Sequence, residues 1–105
     1  MKNLPELRHK FNAKRTEVGD IKFSSKKEAM RFLGLQQLQK AGEIVFFLRQ
    51  VPFHLAGGSK YVCDFVVFWA DGHVSVEDVK GMKTDMYKVK KKLVEDTYPI
   101  TITEI

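Results

Sequence analysis

Tyr61–Trp69 is an apolar run broken only by Asp64, and Val74–Val79 sets Val74, Val76 and Val79 among Ser75, Glu77 and Asp78, with Asp71-Gly72 between the two runs. Two runs rich in β-branched and aromatic side chains and split by an Asp-Gly pair predict a β-hairpin. Its register decides which side chains meet, because a one-residue slip moves every side chain to the other face. With Asp71-Gly72 alone as the loop, Asp64 faces Val79, and Val66 and Phe68 share a face with Ser75 and Glu77. With Ala70–Gly72 as the loop and Gly72 left-handed, Trp69 pairs with His73, Phe68 with Val74 and Val66 with Val76. Asp64 then falls opposite Asp78, with Lys80 one pleat beyond. Apolar matching therefore selects the register that brings two carboxylates and a lysine together. A bulge in either strand would have the same effect.

The other elements follow from their own periods. Ser24–Gly42 predicts a helix, with Ser25 and Glu28 as a capping box, Gly42 at the C-terminal cap and an apolar arc of Phe32, Leu33, Leu35 and Leu38. Gly34 inside it weakens the helix by about 1 kcal/mol against alanine and marks a candidate close packing contact. Ile44–Val51 predicts a strand that Pro52 ends or turns into a sheet edge. Met86–Asp96 predicts a second helix, capped by Thr84 or Asp85, with Met86, Val89, Leu93 and Val94 as its apolar face. Pro99–Ile105 alternates and predicts a last strand, and Ile21–Phe23 a short edge strand. Residues 1–20 have no sustained period and are expected to form a basic arm, leaving 21–105 as a single domain.

Composition narrows the class. The 105 residues suit one small core, and the longest apolar run, Phe65–Ala70, is far too short to cross a membrane. The first ten residues lack the apolar stretch of a secretory signal, so a cytoplasmic protein is expected. A single cysteine, Cys63, rules out an intrachain disulfide and argues against a cysteine-ligated zinc site. Cys63 is read as a small buried apolar residue pointing away from the carboxylates. The net charge of +5 favours polyanionic partners, and six lysines crowd into Lys80–Lys92. Lys83, Lys88, Lys90, Lys91 and Lys92 are candidate nucleic-acid contacts, or else a solvated face. Arg49 and Gln50 either end their strand or reach phosphate. His54 is read as a surface or packing residue, and Glu77, on the opposite face from Asp78, as a partner for a surface or helix group.

Opposed carboxylates destabilise a strand pair. A cation between them removes that penalty, and hard oxygen donors without clustered His or Cys suit Mg²⁺ or Mn²⁺. The alternative is a Lys80-centred ion pair at the hydrated ends of two strands. Glu28 borders the buried arc of its helix, so it either caps the helix or points into a site.

Asp64, thirteen intervening residues and then Asp78-Val79-Lys80 resemble the signature of the PD-(D/E)XK nuclease superfamily. The FSSKKEAMRF helix start, the KAGEI turn, and the YVCDF and VEDVKG strands also resemble a small phage- and prophage-associated family catalogued as a domain of unknown function. That similarity covers roughly Phe23–Ile105. Cys63 stands where the superfamily's motif has proline, a position that varies widely. The resemblance implies a restriction-endonuclease-like α/β core with a mixed central sheet flanked by helices. It implies Asp64 and Asp78 as metal ligands with the Val79 carbonyl, Lys80 as the residue that positions water or balances charge, and Glu28 as a further acid of the site. The expected activity is Mg²⁺-dependent hydrolysis of phosphodiester bonds in DNA, structure-directed on branched, flapped or junction substrates, with a homodimer suited to two equivalent strands. A catalytically inactive nucleic-acid-binding or regulatory module on the same fold is the alternative.

Overall fold

The computed structural model describes residues 7–9, as backbone alone, and residues 16–105. It divides into two compact units, the first ending at Ala41 and the second spanning Gly42–Ile105.

The first unit holds a three-stranded antiparallel sheet, β1 (Leu7–His9), β2 (Thr16–Val18) and β3 (Ile21–Phe23), and helix α1 (Lys26–Lys40). Gly19, at φ 59°, supplies the left-handed residue of the tight turn that joins Val18 to its partner Ile21. Two strands thus fall inside the segment expected to be an arm. Three-residue strands carry too few alternations to register as a period, and residues 1–6 and 10–15 of that segment lie outside the described residues. Helix α1 starts as its sequence dictates: Ser25 is the N-cap and its Oγ accepts from the Glu28 amide at 3.0 Å. The Glu28 carboxylate reaches one residue further back than a capping box requires, accepting from Ser24 Oγ at 2.7 Å. Ala29, Phe32 and Leu35 are buried, and Phe32 packs on Phe23 with ring centroids 5.0 Å apart. Gly42, at φ 82°, follows the helix end as a left-handed cap. Gly34 does not mark close packing, since a Cβ built there meets no described atom within 4 Å.

The second unit is a mixed four-stranded sheet in the order β4-β5-β6-β7, with helix α2 (Asp85–Thr97). Strand β4 (Ile44–His54) pairs antiparallel with β5 (Lys60–Trp69), β5 with β6 (Val74–Asp78), and β6 runs parallel to β7 (Ile102–Glu104). Pro52 sits within β4, which is tolerated because β4 ends the order of this sheet and proline's missing N–H removes no ladder bond on the free side. The β5–β6 register is the three-residue-loop alternative: Phe68 pairs with Val74 and Val66 with Val76. The Trp69 amide bonds the His73 carbonyl at 2.9 Å, and Gly72 is left-handed at φ 101°.

The core of this unit gathers Leu55, Tyr61, Cys63, Val66, Val76, Tyr87, Val94 and Ile102. Helix α2 contributes Tyr87 and Val94, whereas Met86, Val89 and Leu93 are 64%, 56% and 47% exposed. The predicted apolar face of α2 is therefore corrected: of its four residues only Val94 is buried. Two arcs compete on this helix, and the buried one wins because the Tyr87 ring fills the core while its hydroxyl donates to Glu104 at 2.8 Å.

Candidate functional site

The site forms where the β5–β6 ladder runs out. Beyond the last paired residues, Phe65 and Glu77, the same register sets Asp64 opposite Asp78. Asp64 Oδ2 accepts from the Val79 amide at 2.7 Å, and Asp64 Oδ1 accepts from Gln50 Nε2 at 3.3 Å. Asp78 is 1% exposed. Its Oδ2 accepts a hydrogen bond from the Tyr61 hydroxyl and lies 3.6 Å from Lys80 Nζ. The Lys80 ammonium also stands 4.5 Å above the centre of the Tyr87 ring. Strand β7 fixes the backbone beneath, since the Ile105 amide donates to the Asp78 carbonyl at 2.9 Å.

Burial pushes the Asp78 carboxyl up to about 7, and the Asp64 carboxyl pushes it the same way; the Tyr61 hydroxyl and Lys80 ammonium oppose both. Burial, reinforced by the Asp78 carboxylate, holds the Tyr61 phenol above its ordinary value. Cys63 is buried, and burial pushes its thiol up to about 11. It packs in the same core as Tyr61 and feels the charge of both aspartates, so it lies nearer the site than its expected outward direction.

Tyr61 was not visible from sequence. In a regular strand it would face away from the side that carries Val66, yet Tyr61, Cys63 and Val66 share one core cluster. The alternation of β5 therefore changes phase across Asp64–Phe65. Level with that point, between the pairs Arg49–Phe65 and Val51–Cys63, stands Gln50. At φ 52°, Gln50 is the one positive-φ residue other than glycine among those described. A non-glycine residue held left-handed stores about 1–2 kcal/mol of strain, and here its amide holds a site carboxylate. Gln50 was expected to reach phosphate or end its strand; β4 runs on to His54, and the Gln50 amide bonds Asp64.

The remaining candidates are spread more widely. Glu28 is buried in the first unit, where its described bonds are to Ser24 and Ser25. Glu77 is buried, at 2% exposed. Lys83 pairs with Glu104 at 2.9 Å, Lys91 with Glu95 at 3.1 Å and Lys92 with Asp96 at 3.6 Å. Lys90 Nζ donates to the Lys60 carbonyl at 3.2 Å, and Lys88 is exposed. Arg49 is half-buried in β4. No helix among the described residues is long and apolar enough to cross a membrane.

A divalent cation can be tested against this donor set. Asp64 and Asp78 offer hard oxygen donors from adjacent strands, with Lys80 3.6 Å from Asp78. That chemistry fits Mg²⁺ or Mn²⁺. Among the described residues, however, no three Asp, Glu, His or Cys side chains come together as a metal-ligand set, so a cation would rest on two carboxylates and backbone or water oxygens.

Fold and site together define a mixed α/β protein with a paired-carboxylate and lysine centre at the open end of a hairpin. The family model described as "Protein of unknown function (DUF1064)" matches residues 8–103, and the chain belongs to that family. No curated protein and no solved structure matches it.

Proposed function

We propose that this chain is a metal-dependent endonuclease acting on DNA, in keeping with its resemblance to the PD-(D/E)XK nucleases and to phage-associated proteins. The observation that carries the reading is the hairpin register that sets Asp64 opposite Asp78, with Lys80 Nζ 3.6 Å from Asp78. Asp64, Asp78 and the Val79 carbonyl would hold Mg²⁺ or Mn²⁺. Such an ion supplies Lewis-acid polarisation of a phosphate oxygen and a more acidic bound water. Gln50 and the Val79 amide orient Asp64, leaving the direction of its lone pairs set before any ligand arrives. Tyr61 does the same for Asp78. Lys80, held against Asp78 and the Tyr87 ring, is placed to orient attacking water and to balance charge on the pentacovalent transition state. Glu28 enters through the resemblance alone, as a further acid of the reaction.

Branched, flapped or junction DNA is the proposed substrate; a two-fold dimer would serve two equivalent strands. A cleavage panel of linear, flapped and four-way DNA with Mg²⁺ or Mn²⁺ tests this. Asp78→Asn or Lys80→Ala is expected to lower cleavage by at least about a hundredfold with the fold intact. Full activity in either variant would overturn the assignment.

The burial of Asp78 favours a second reading, a non-catalytic nucleic-acid-binding or regulatory module. Undiminished, salt-sensitive DNA binding in EDTA with no cleavage at any metal concentration would select it.

A further inference from the structure

Next to the carboxylate pair, within the second unit, lies a cleft of about 800 Å³. Lys60, Lys80 and Lys90 line it, with Tyr61, Val62 and Met86. Among the described residues no carboxylate contributes to its wall. Asp78, the acid that bonds Tyr61 and pairs with Lys80, is buried. Lys90 is held in place by its bond to the Lys60 carbonyl. A cleft of this volume takes a ligand of small-molecule size, about one or two nucleotides. Lys60 and Lys90, beside the Lys80 that pairs with Asp78, give it a cationic lining that suits a phosphate dianion, whose charge-assisted bonds are the strong ones. Val62 and Met86, both substantially exposed, offer an apolar wall to a base.

We infer that this cleft binds a nucleoside phosphate, either the phosphorylated end of a single strand or a free nucleotide, beside the proposed site. The inference rests on the nuclease reading only in taking the ligand to be nucleic acid; the cleft itself needs neither metal nor cleavage.

The test is fluorescence anisotropy on the full chain in EDTA, with a 3′-labelled five-nucleotide thymidine strand that carries or lacks a 5′-phosphate. The phosphorylated strand is expected to bind roughly tenfold tighter. Lys60→Ala with Lys90→Ala should remove that preference. Lys22→Ala, on β3 and outside the cleft lining, should keep it, with circular dichroism checking the fold of each variant. Equal affinity for the two strands would overturn the inference, as would an unchanged preference in the Lys60/Lys90 variant. Competition by thymidine 5′-monophosphate separates the sources: displacement at comparable concentration assigns a free nucleotide, and failure to displace assigns a strand end. Phosphate preference without cleavage of any substrate would overturn the nuclease reading alone. Cleavage without phosphate preference would overturn this inference alone.

Discussion

The two ends of the β5–β6 hairpin obey opposite rules. Toward the turn, apolar side chains meet in regular register: Val66 faces Val76, and Phe68 faces Val74 and stacks on Phe46 with centroids 4.4 Å apart. Toward the open end, the strand changes phase, a glutamine opposite is held left-handed, and two carboxylates stand across from each other. One end adds stability by burying apolar surface. The other accumulates strain and like charge, each unfavourable by about a kilocalorie per mole or more. This contrast is what the proposal of a cation or substrate at the open end rests on.

Variants at each end should respond differently. The largest stability loss is expected from Val66→Ala, about 2 kcal/mol in urea unfolding and nearly independent of pH, because it removes buried apolar surface. A loss under 0.5 kcal/mol would mean that the turn end does not anchor the hairpin.

Asp78→Asn should do the reverse. The Asp78 carboxyl is raised from 3.8 to about 7, so the folded state holds its proton more tightly than the unfolded chain. Stability from this group is full below about pH 4, falls as pH rises, and is gone above about pH 7. In EDTA the wild type should lose on the order of 2 kcal/mol between pH 5 and pH 8, and Asp78→Asn should flatten that decline. Parallel pH curves for the two proteins would break the comparison.

Glu95 braces β7 beside the open end and has the opposite sign. Its carboxylate accepts from the Ile102 amide at 2.7 Å, which holds it below the usual range, with Lys91 helping. Glu95→Ala should lower stability by about 1 kcal/mol at pH 7, and the difference should disappear as pH falls through the depressed value. Thermal melts of both proteins at pH 7 and pH 3 check this. The smallest effect is expected from Val89→Ala, under about 0.5 kcal/mol, because the residue lies on the exposed arc of α2.

The same contrast explains what could be read from sequence. The hairpin register was legible because two independent constraints agreed: the Asp71-Gly72 turn and the matching of Val66 and Phe68 with Val76 and Val74. Helix α1 was legible because the Ser25 cap and the left-handed Gly42 are local signals. Helix α2 carried two apolar arcs, and the choice between them depended on Glu104, seventeen positions from Tyr87 and recruited only when β7 folds beside β6. The Asp64–Asp78 opposition followed from register. Its Tyr61 and Gln50 partners did not, because both rest on a break in periodicity, and period-based reading assumes that no break occurs.

The most direct test is calorimetric titration of Mn²⁺ into the metal-free protein at pH 8, beside Asp78→Asn and Asp64→Asn. The account predicts a saturable binding event in the wild type that either substitution weakens at least about tenfold. No binding in the wild type, or equal binding in all three proteins, would contradict the claim that the two aspartates form a cation site.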